Sequence, residues 1–379
     1  MADSAKIKKK IAVFTGTRAE YGLVRRLARR INEDEELELQ LVVSGSHLSD
    51  RYGRTISEIQ GDGIQPAALI PLSLDNSPQP SMAVLTAEAL AGVGQSLESL
   101  QPQILIVLGD RYEAFAASAA AHLQGVPVCH LHGGESTFGA IDDRLRHAIS
   151  QLSSWHFTAA EPYRQRIIAM GHAPERVFNV GPMVLDGLHA LPVVSRSQFE
   201  DHTGFHFGEK NLLVTYHPET LLSDRGVAGF EALLAALAQT SCNVLFTRPN
   251  ADEGSQQIMC RLKDFLISFP DRSWVVPSLG QKNYLMALQL FEAMAGNSSS
   301  GIIEAPLLGI PVLNIGDRQA GRLRHGYVLD VPAELTAISS SLTEILVYGQ
   351  RSSWPRPSPQ SGLPPTESIV SWLRSSAAI

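Results

Sequence analysis

The 379-residue sequence predicts an α/β protein made of two doubly wound domains. Short, continuous apolar runs alternate with amphipathic stretches over almost the whole chain, the pattern of parallel sheets covered by helices on both faces. The length exceeds what one ordinary core holds. The periodicity also lapses after GPMVLDGL (181–188) and resumes with a fresh strand at Asn211.

Strands are expected at 10–15 (KIAVFT), 37–44, 67–72, 103–109, 126–131 and 156–159 in the first half. The second half predicts them at 211–217, 243–248, 274–277, 292–296 and 310–315. Between the early strands, Glu20–Ile31, Met82–Leu97, Arg111–Leu123 and Asp142–Leu152 read as helices with one apolar face. The segment LPVVSRSQFEDHTGFHFGEKN (191–211) shows no clear period and the hinge is placed near Ala190, so the domains are expected to span 1–189 and 190–355. A Pro/Ser-rich stretch, RSSWPRPSPQSGLPPTES, reads as an extended surface segment. With a last amphipathic helix, SIVSWLRSSAAI, it forms a third piece, 356–379.

Composition narrows the function classes. Hydrophobic residues make up 44% and charged residues 18%, ordinary for a water-soluble globular chain. A net charge of -7 argues against nucleic acid or an anionic membrane as the main partner. The apolar run after Lys8-Lys9-Lys10 ends at Phe14, too short for a signal-peptide core. No run of about eighteen apolar residues would span a bilayer. Cys129, Cys242 and Cys260 are scattered without C-x-x-C spacing, which fits small packing residues in a reducing cytoplasm.

The block CHLHGGESTFGAIDDRLRHA, 129–148, concentrates titratable groups. His130, His132, Glu135, Asp142, Asp143, Arg146 and His147 surround Gly133-Gly134, after a buried strand and at the start of a helix. Such groups are rarely buried without a partner or a task, so a site that moves protons is expected. Asp143 shares one helix face with Arg146 and His147. A local ion-pair network and a metal site are the competing readings. His130 and His132 share a strand face and could join Glu135 as ligands, but no further Cys or His completes a closed site, so no metal is expected.

Other motifs also fall at strand ends, where doubly wound sheets bind ligands. TGTRAEYG (15–22) offers Gly16 for a tight turn and Arg18 for an anion; it lacks G-x-G-x-x-G, so no dinucleotide cofactor is expected. In QILIVLGDRYEA, Asp110 either caps the next helix or faces chemistry. His217 closes LLVTYH, and TRPNADEG carries Arg248, Asn250 and Asp252. In GNSSSGIIEAPLLGIPV, Asn297 to Gly301 should open a helix suited to a diphosphate, with Glu304 placed for ribose hydroxyls. Arg318, Arg322, Arg324 and His325 then read as an anion clamp. The residues alone thus predict a nucleotide-diphosphate site in the second domain and an acid/base site in the first.

Taken together, TGTRAEYG, GDRYEA, HLHGGE, GAIDDRLRHA, YHPET, NSSSGIIEAPLLGIPV and GDRQAGR resemble, in order and spacing, the hydrolysing UDP-N-acetylglucosamine 2-epimerases of bacterial sialic-acid-type pathways. The resemblance covers about the first 330 residues. It implies a GT-B-like architecture, two Rossmann-like domains with the active site in the cleft between them, and no cofactor or catalytic metal. The implied reaction releases UDP from UDP-GlcNAc with loss of the C2 proton, and water addition to 2-acetamidoglucal then yields N-acetylmannosamine.

By the same resemblance, Asp110 and the Asp142/Asp143 pair are acid/base candidates, with Arg146 and His147 beside them. Arg18, Arg111, His217, Asn250, Ser298, Ser299, Gly301, Glu304, Arg318 and Arg322 are candidates for holding UDP. Some members carry Glu before the Gly-Gly pair where this chain has His132, so either His132 or Glu135 takes that proton-transfer role. The substitution also admits a related sugar, UDP-2,4-diacetamido-2,4,6-trideoxyglucose or a GDP-linked one. The non-hydrolysing epimerase, a GT-B glycosyltransferase and a silent nucleotide-sugar sensor are the rival readings. A homodimer or homotetramer is implied as well.

Overall fold

The computed structural model describes residues 8–138, 141–188, 194–219, 221–249, 254–277, 279–324, 326–348 and 363–376. The chain divides into two compact units. One gathers Met1–Glu135, Asp142–His189 and Gln360–Ile379; the other gathers Ser136–Ile141 and Ala190–Pro359.

The first unit contains β1 (Lys9–Thr15), β2 (Leu37–Ser44), β3 (Ala68–Ile70), β4 (Ile104–Leu108), β5 (Val128–Leu131), β6 (Trp155–Thr158) and β7 (Val177–Asn179). They form one parallel sheet in the order β3-β2-β1-β4-β5-β6-β7. Side chains alternate across a strand, so β1 sends Ile11 and Val13 into one core cluster and Ala12 and Phe14 into another. Both faces are therefore dry at the centre of the sheet, which is why a central strand such as β4 reads as an unbroken apolar run.

The second unit contains β8 (Asn211–Thr215), β9 (Asn243–Thr247), β10 (Ser273–Val276), β11 (Ala293–Gly296), β12 (Val312–Ile315) and β13 (Val328–Val331). Its order, β10-β9-β8-β11-β12-β13, is again doubly wound and parallel. In each sheet the strand order reverses once, between β1 and β4 and between β8 and β11. The polar motifs lie beyond the carboxyl ends of these strands.

Three details depart from the sequence expectation. The edge strands β7 and β13 were not foreseen, because they are short and only partly buried and so lack a continuous apolar run. The segment read as aperiodic holds a helix, Arg196–Thr203, started by a Ser195–Gln198 capping box but burying only Phe199. The last helix begins at Pro365, inside the stretch read as extended, because proline suits a first helical turn. Residues 351–362 of that stretch lie outside the described residues.

The last helix, Pro365–Ser375, packs in the first unit. Asp186 accepts the N–H and the hydroxyl of Thr366 at its start. Lys9 Nζ donates to the carbonyls of Leu373 at 3.1 Å and Ser376 at 2.8 Å at its end, a cation where the helix dipole is negative. Trp372 lies against Trp155, Phe157 and Phe178 at centroid distances of 4.9, 5.3 and 6.2 Å.

Candidate active site

The reversal point of the first sheet collects the acid/base candidates. Gly109 follows β4 and leads to Asp110, whose carboxylate takes a charge-assisted hydrogen bond from Arg146. Arg146 stands on the helix Asp142–Leu152 and is 2% exposed. Asp142, Asp143 and Glu135 add to the negative field around it. A guanidinium so deeply buried needs such neighbours. Asp143 Oδ2 and His147 Nε2 are 3.8 Å apart one turn on. Burial holds the His147 imidazole below its ordinary pKa, with Arg146 and Arg166 adding to the effect against Asp143.

The two histidines do not share a strand face as expected: β5 ends at Leu131, so only His130 stands on the strand and His132 lies just beyond it. His130 is fully buried, with Nδ1 3.0 Å from Ser150 Oγ and Nε2 2.8 Å from the Gly109 carbonyl. Burial pushes its pKa down to about 4, so it is a neutral tie between β5, the turn after β4 and the helix Asp142–Leu152. His132 has a left-handed backbone, φ 63°, and its Nε2 accepts the Met183 N–H at 3.0 Å. Nδ1 lies 3.0 Å from Glu135 Oε1. Since Nε2 must offer its lone pair, the proton sits on Nδ1 and points at Glu135. Gly134, φ 78°, turns the chain here, and a Cβ on it would come within 2.4 Å of the Tyr163 carbonyl. Among the described residues no group of three or more His, Cys, Asp or Glu is placed to hold a metal ion.

Arg18 and Arg111 sit at the neighbouring loops. Arg18 opens the helix Arg18–Asn32 and lies 3.6 Å from Glu58, and Arg111 Nε donates to Glu113 at 3.3 Å.

In the second unit the reversal point is closed by Asn297. Its Oδ1 accepts the His217 N–H at 2.7 Å and its Nδ2 donates to the His217 carbonyl at 2.9 Å. Its own carbonyl takes Arg318 Nη1 at 3.2 Å and Gln319 Nε2 at 2.9 Å. Burial, reinforced by the Arg318 charge, holds His217 well below its ordinary pKa. Arg322 Nε donates to Thr137 Oγ1 at 3.2 Å.

Two expectations for this unit change. Ser298 to Glu304 do not form one helix: a 3₁₀ turn, Ser299–Gly301, precedes a four-residue helix, Glu304–Leu307. Pro306 lacks the N–H that would continue the ladder, and four residues sum little dipole. Ser298 Oγ accepts the Ser300 N–H at 3.3 Å within that turn. Arg324 does not join an anion clamp, since its guanidinium embraces Asp330 at 2.9 Å and donates to two carbonyls of its own loop. Asn250, Asp252 and His325 lie outside the described residues.

Several buried polar residues at these loops were not singled out. Glu20, Glu113 and Glu219 are 6%, 1% and 4% exposed, and burial raises the pKa of Glu219 beside the Tyr216 hydroxyl. Each lies inside a motif already quoted, and the local signal is an acid four or five residues past a buried strand's end.

Two parallel doubly wound units with polar residues beyond each reversal point define a GT-B-like enzyme fold. The chain belongs to the family described as UDP-N-acetylglucosamine 2-epimerase, which matches residues 29–359. It is 37% identical over 338 residues to a hydrolysing UDP-N,N'-diacetylbacillosamine 2-epimerase of Legionella pneumophila, covering 89% of each chain. It is 35% identical over 324 residues to a hydrolysing GDP/UDP-N,N'-diacetylbacillosamine 2-epimerase of Campylobacter jejuni, covering 85% of this chain and 84% of that one. The crystal structure of Neisseria meningitidis UDP-GlcNAc 2-epimerase bound to UDP-GlcNAc superposes with a TM-score of 0.80 at 19% identity, over 97% of this chain and 100% of that one. At that identity the likeness concerns the fold.

Proposed function

We propose that this epimerase is of the hydrolysing kind and turns a UDP-linked 2-acetamido sugar of gluco configuration into UDP and the free manno sugar. The observation that carries the site assignment is the Asp110–Arg146 pair at the end of β4. Asp110 is the base: it takes the C2 proton while the C1–O bond breaks and its electron pair leaves with UDP, giving the 2-acetamidoglucal. Water then adds its oxygen to C1, and C2 is reprotonated on the opposite face. Asp142 and Asp143 are the acids for that return, and His132 orients Glu135 beside them. Arg18, Arg111, Arg318 and Arg322 neutralise the diphosphate as it accumulates charge. The scheme needs neither metal nor redox cofactor.

The two relatives favour UDP-2,4-diacetamido-2,4,6-trideoxyglucose over UDP-GlcNAc, since their names specify N,N'-diacetylbacillosamine. In the same reading the enzyme works in the cytoplasm as a homodimer or homotetramer. No helix among the described residues is long and apolar enough to cross a membrane.

The test incubates the protein with each sugar nucleotide in deuterated water and follows both by NMR. Free manno sugar deuterated at C2, plus UDP, supports the proposal, and the faster substrate identifies the sugar. A UDP-linked manno product points instead to the non-hydrolysing reaction, and retention of the C2 proton removes epimerisation.

A further inference from the structure

Two carboxyl groups that the reaction scheme does not use lie beneath the loop joining β1 to its helix. Glu20 Oε2 accepts the N–H of Gly16 at 2.8 Å and of Thr17 at 3.1 Å, completing a capping box. Glu113 approaches from the other side: a Cβ on Gly16 would stand 3.0 Å from Glu113 Cβ and 3.4 Å from Glu20 Oε2. The Gly16 carbonyl takes the Ser46 N–H at 2.9 Å, so the loop backbone is held along both edges. Glu20 Oε1 is buried and, among the described residues, has no hydrogen-bond partner.

An oxygen without a donor in a dry place suits a carboxylic acid and penalises a carboxylate. Burial, then the like charge of Glu113, raises Glu20 to about 8; Asp110 acts the same way, against Arg111 and the Gly16 N–H. From the turn Gly45–His47 comes His47, held neutral by burial at about 4, and Arg18 reaches Glu58.

We propose that Glu20 and Glu113 form a proton-holding pair that positions the Gly16–Arg18 loop for the substrate diphosphate, the proton on Glu20 keeping a second negative charge from beneath that anion. Glu20 is a positioning residue and touches no reacting atom. The inference rests on the UDP-sugar reading above.

The experiment titrates UDP calorimetrically into the full-length wild type, Glu20→Gln and Glu113→Gln from about pH 7 to about pH 9, bracketing the Glu20 transition. Gln at this position can still close a capping box. Wild-type affinity should fall about fivefold or more across the window, and Glu20→Gln should flatten that dependence. Glu113→Gln removes the like charge and should move the transition to lower pH, a readout that stands even if Glu20→Gln does not fold. Equal pH slopes in wild type and Glu20→Gln, or an unmoved transition in Glu113→Gln, would overturn the inference while leaving the epimerase reading intact. Absence of UDP binding in all three would overturn both.

Discussion

His132 points its ring N–H at Glu135 Oε1 across 3.0 Å, because its other nitrogen already accepts the Met183 N–H. The imidazole is thus a fixed dipole aimed at a carboxyl group, which fits it to orient Glu135 better than to carry protons to a substrate. Its strained left-handed backbone is the local cost of that aim.

His132→Ala should therefore lower kcat by about 100-fold, the usual scale for misplacing a reacting group, with little change in KM. Steady-state kinetics checks this. A large rise in KM with kcat preserved would make His132 a binding residue.

Asp110→Asn keeps the shape of the carboxylate but removes the base. Turnover should fall about 100- to 10,000-fold, while UDP affinity measured calorimetrically stays close to wild type. A near-normal rate would move the base to Asp142 or Asp143.

Asn297→Ala leaves both backbone groups of His217 without their side-chain partner in a buried place. Each lost bond should cost about 1–3 kcal/mol, so the thermal midpoint falls by several degrees. A drop in UDP affinity should accompany it, because the loops beyond β8 and β11 lose their shared staple. An unchanged midpoint would show that the loops hold themselves.

Acid should destabilise the fold in a defined window. His47 and His130 are held by burial at about 4, below the ordinary 6.5 of the unfolded chain. Between those values the unfolded chain binds more protons, so stability present above about pH 6.5 is lost as pH falls toward 4. Glu20, raised to about 8, has the opposite sign: its contribution is lost as pH rises from about 4.5 to 8. Thermal midpoints across pH, with NMR of the His47 and His130 ring protons, check both. Ring signals titrating near 6.5 would contradict the acid window.

Much of the architecture was legible because sheets buried on both faces leave a local mark. β1, β4, β8 and β9 each announce themselves as apolar runs without needing their partners. β7 and β13 did not, because half-exposed edges carry mixed side chains. The block 129–148 was legible as a cluster, since its titratable residues are neighbours in the chain. It could not be sorted locally: His130 and His132 look alike in sequence, yet one ties the core together and the other aims Glu135.

The sequence by itself determined the strand and helix periods, the two doubly wound halves and the strand ends where polar residues gather. Tertiary structure alone decided the pairings: Asp110 with Arg146, 36 residues apart, His132 with Met183, 51 apart, and His217 with Asn297, 80 apart. It also brought the last helix back to Lys9, 367 residues from Ser376. Periodicity is a local property of the chain, whereas these contacts depend on the order in which parallel strands are laid beside one another. That order is set by the packing of whole elements, and no short stretch of sequence records it.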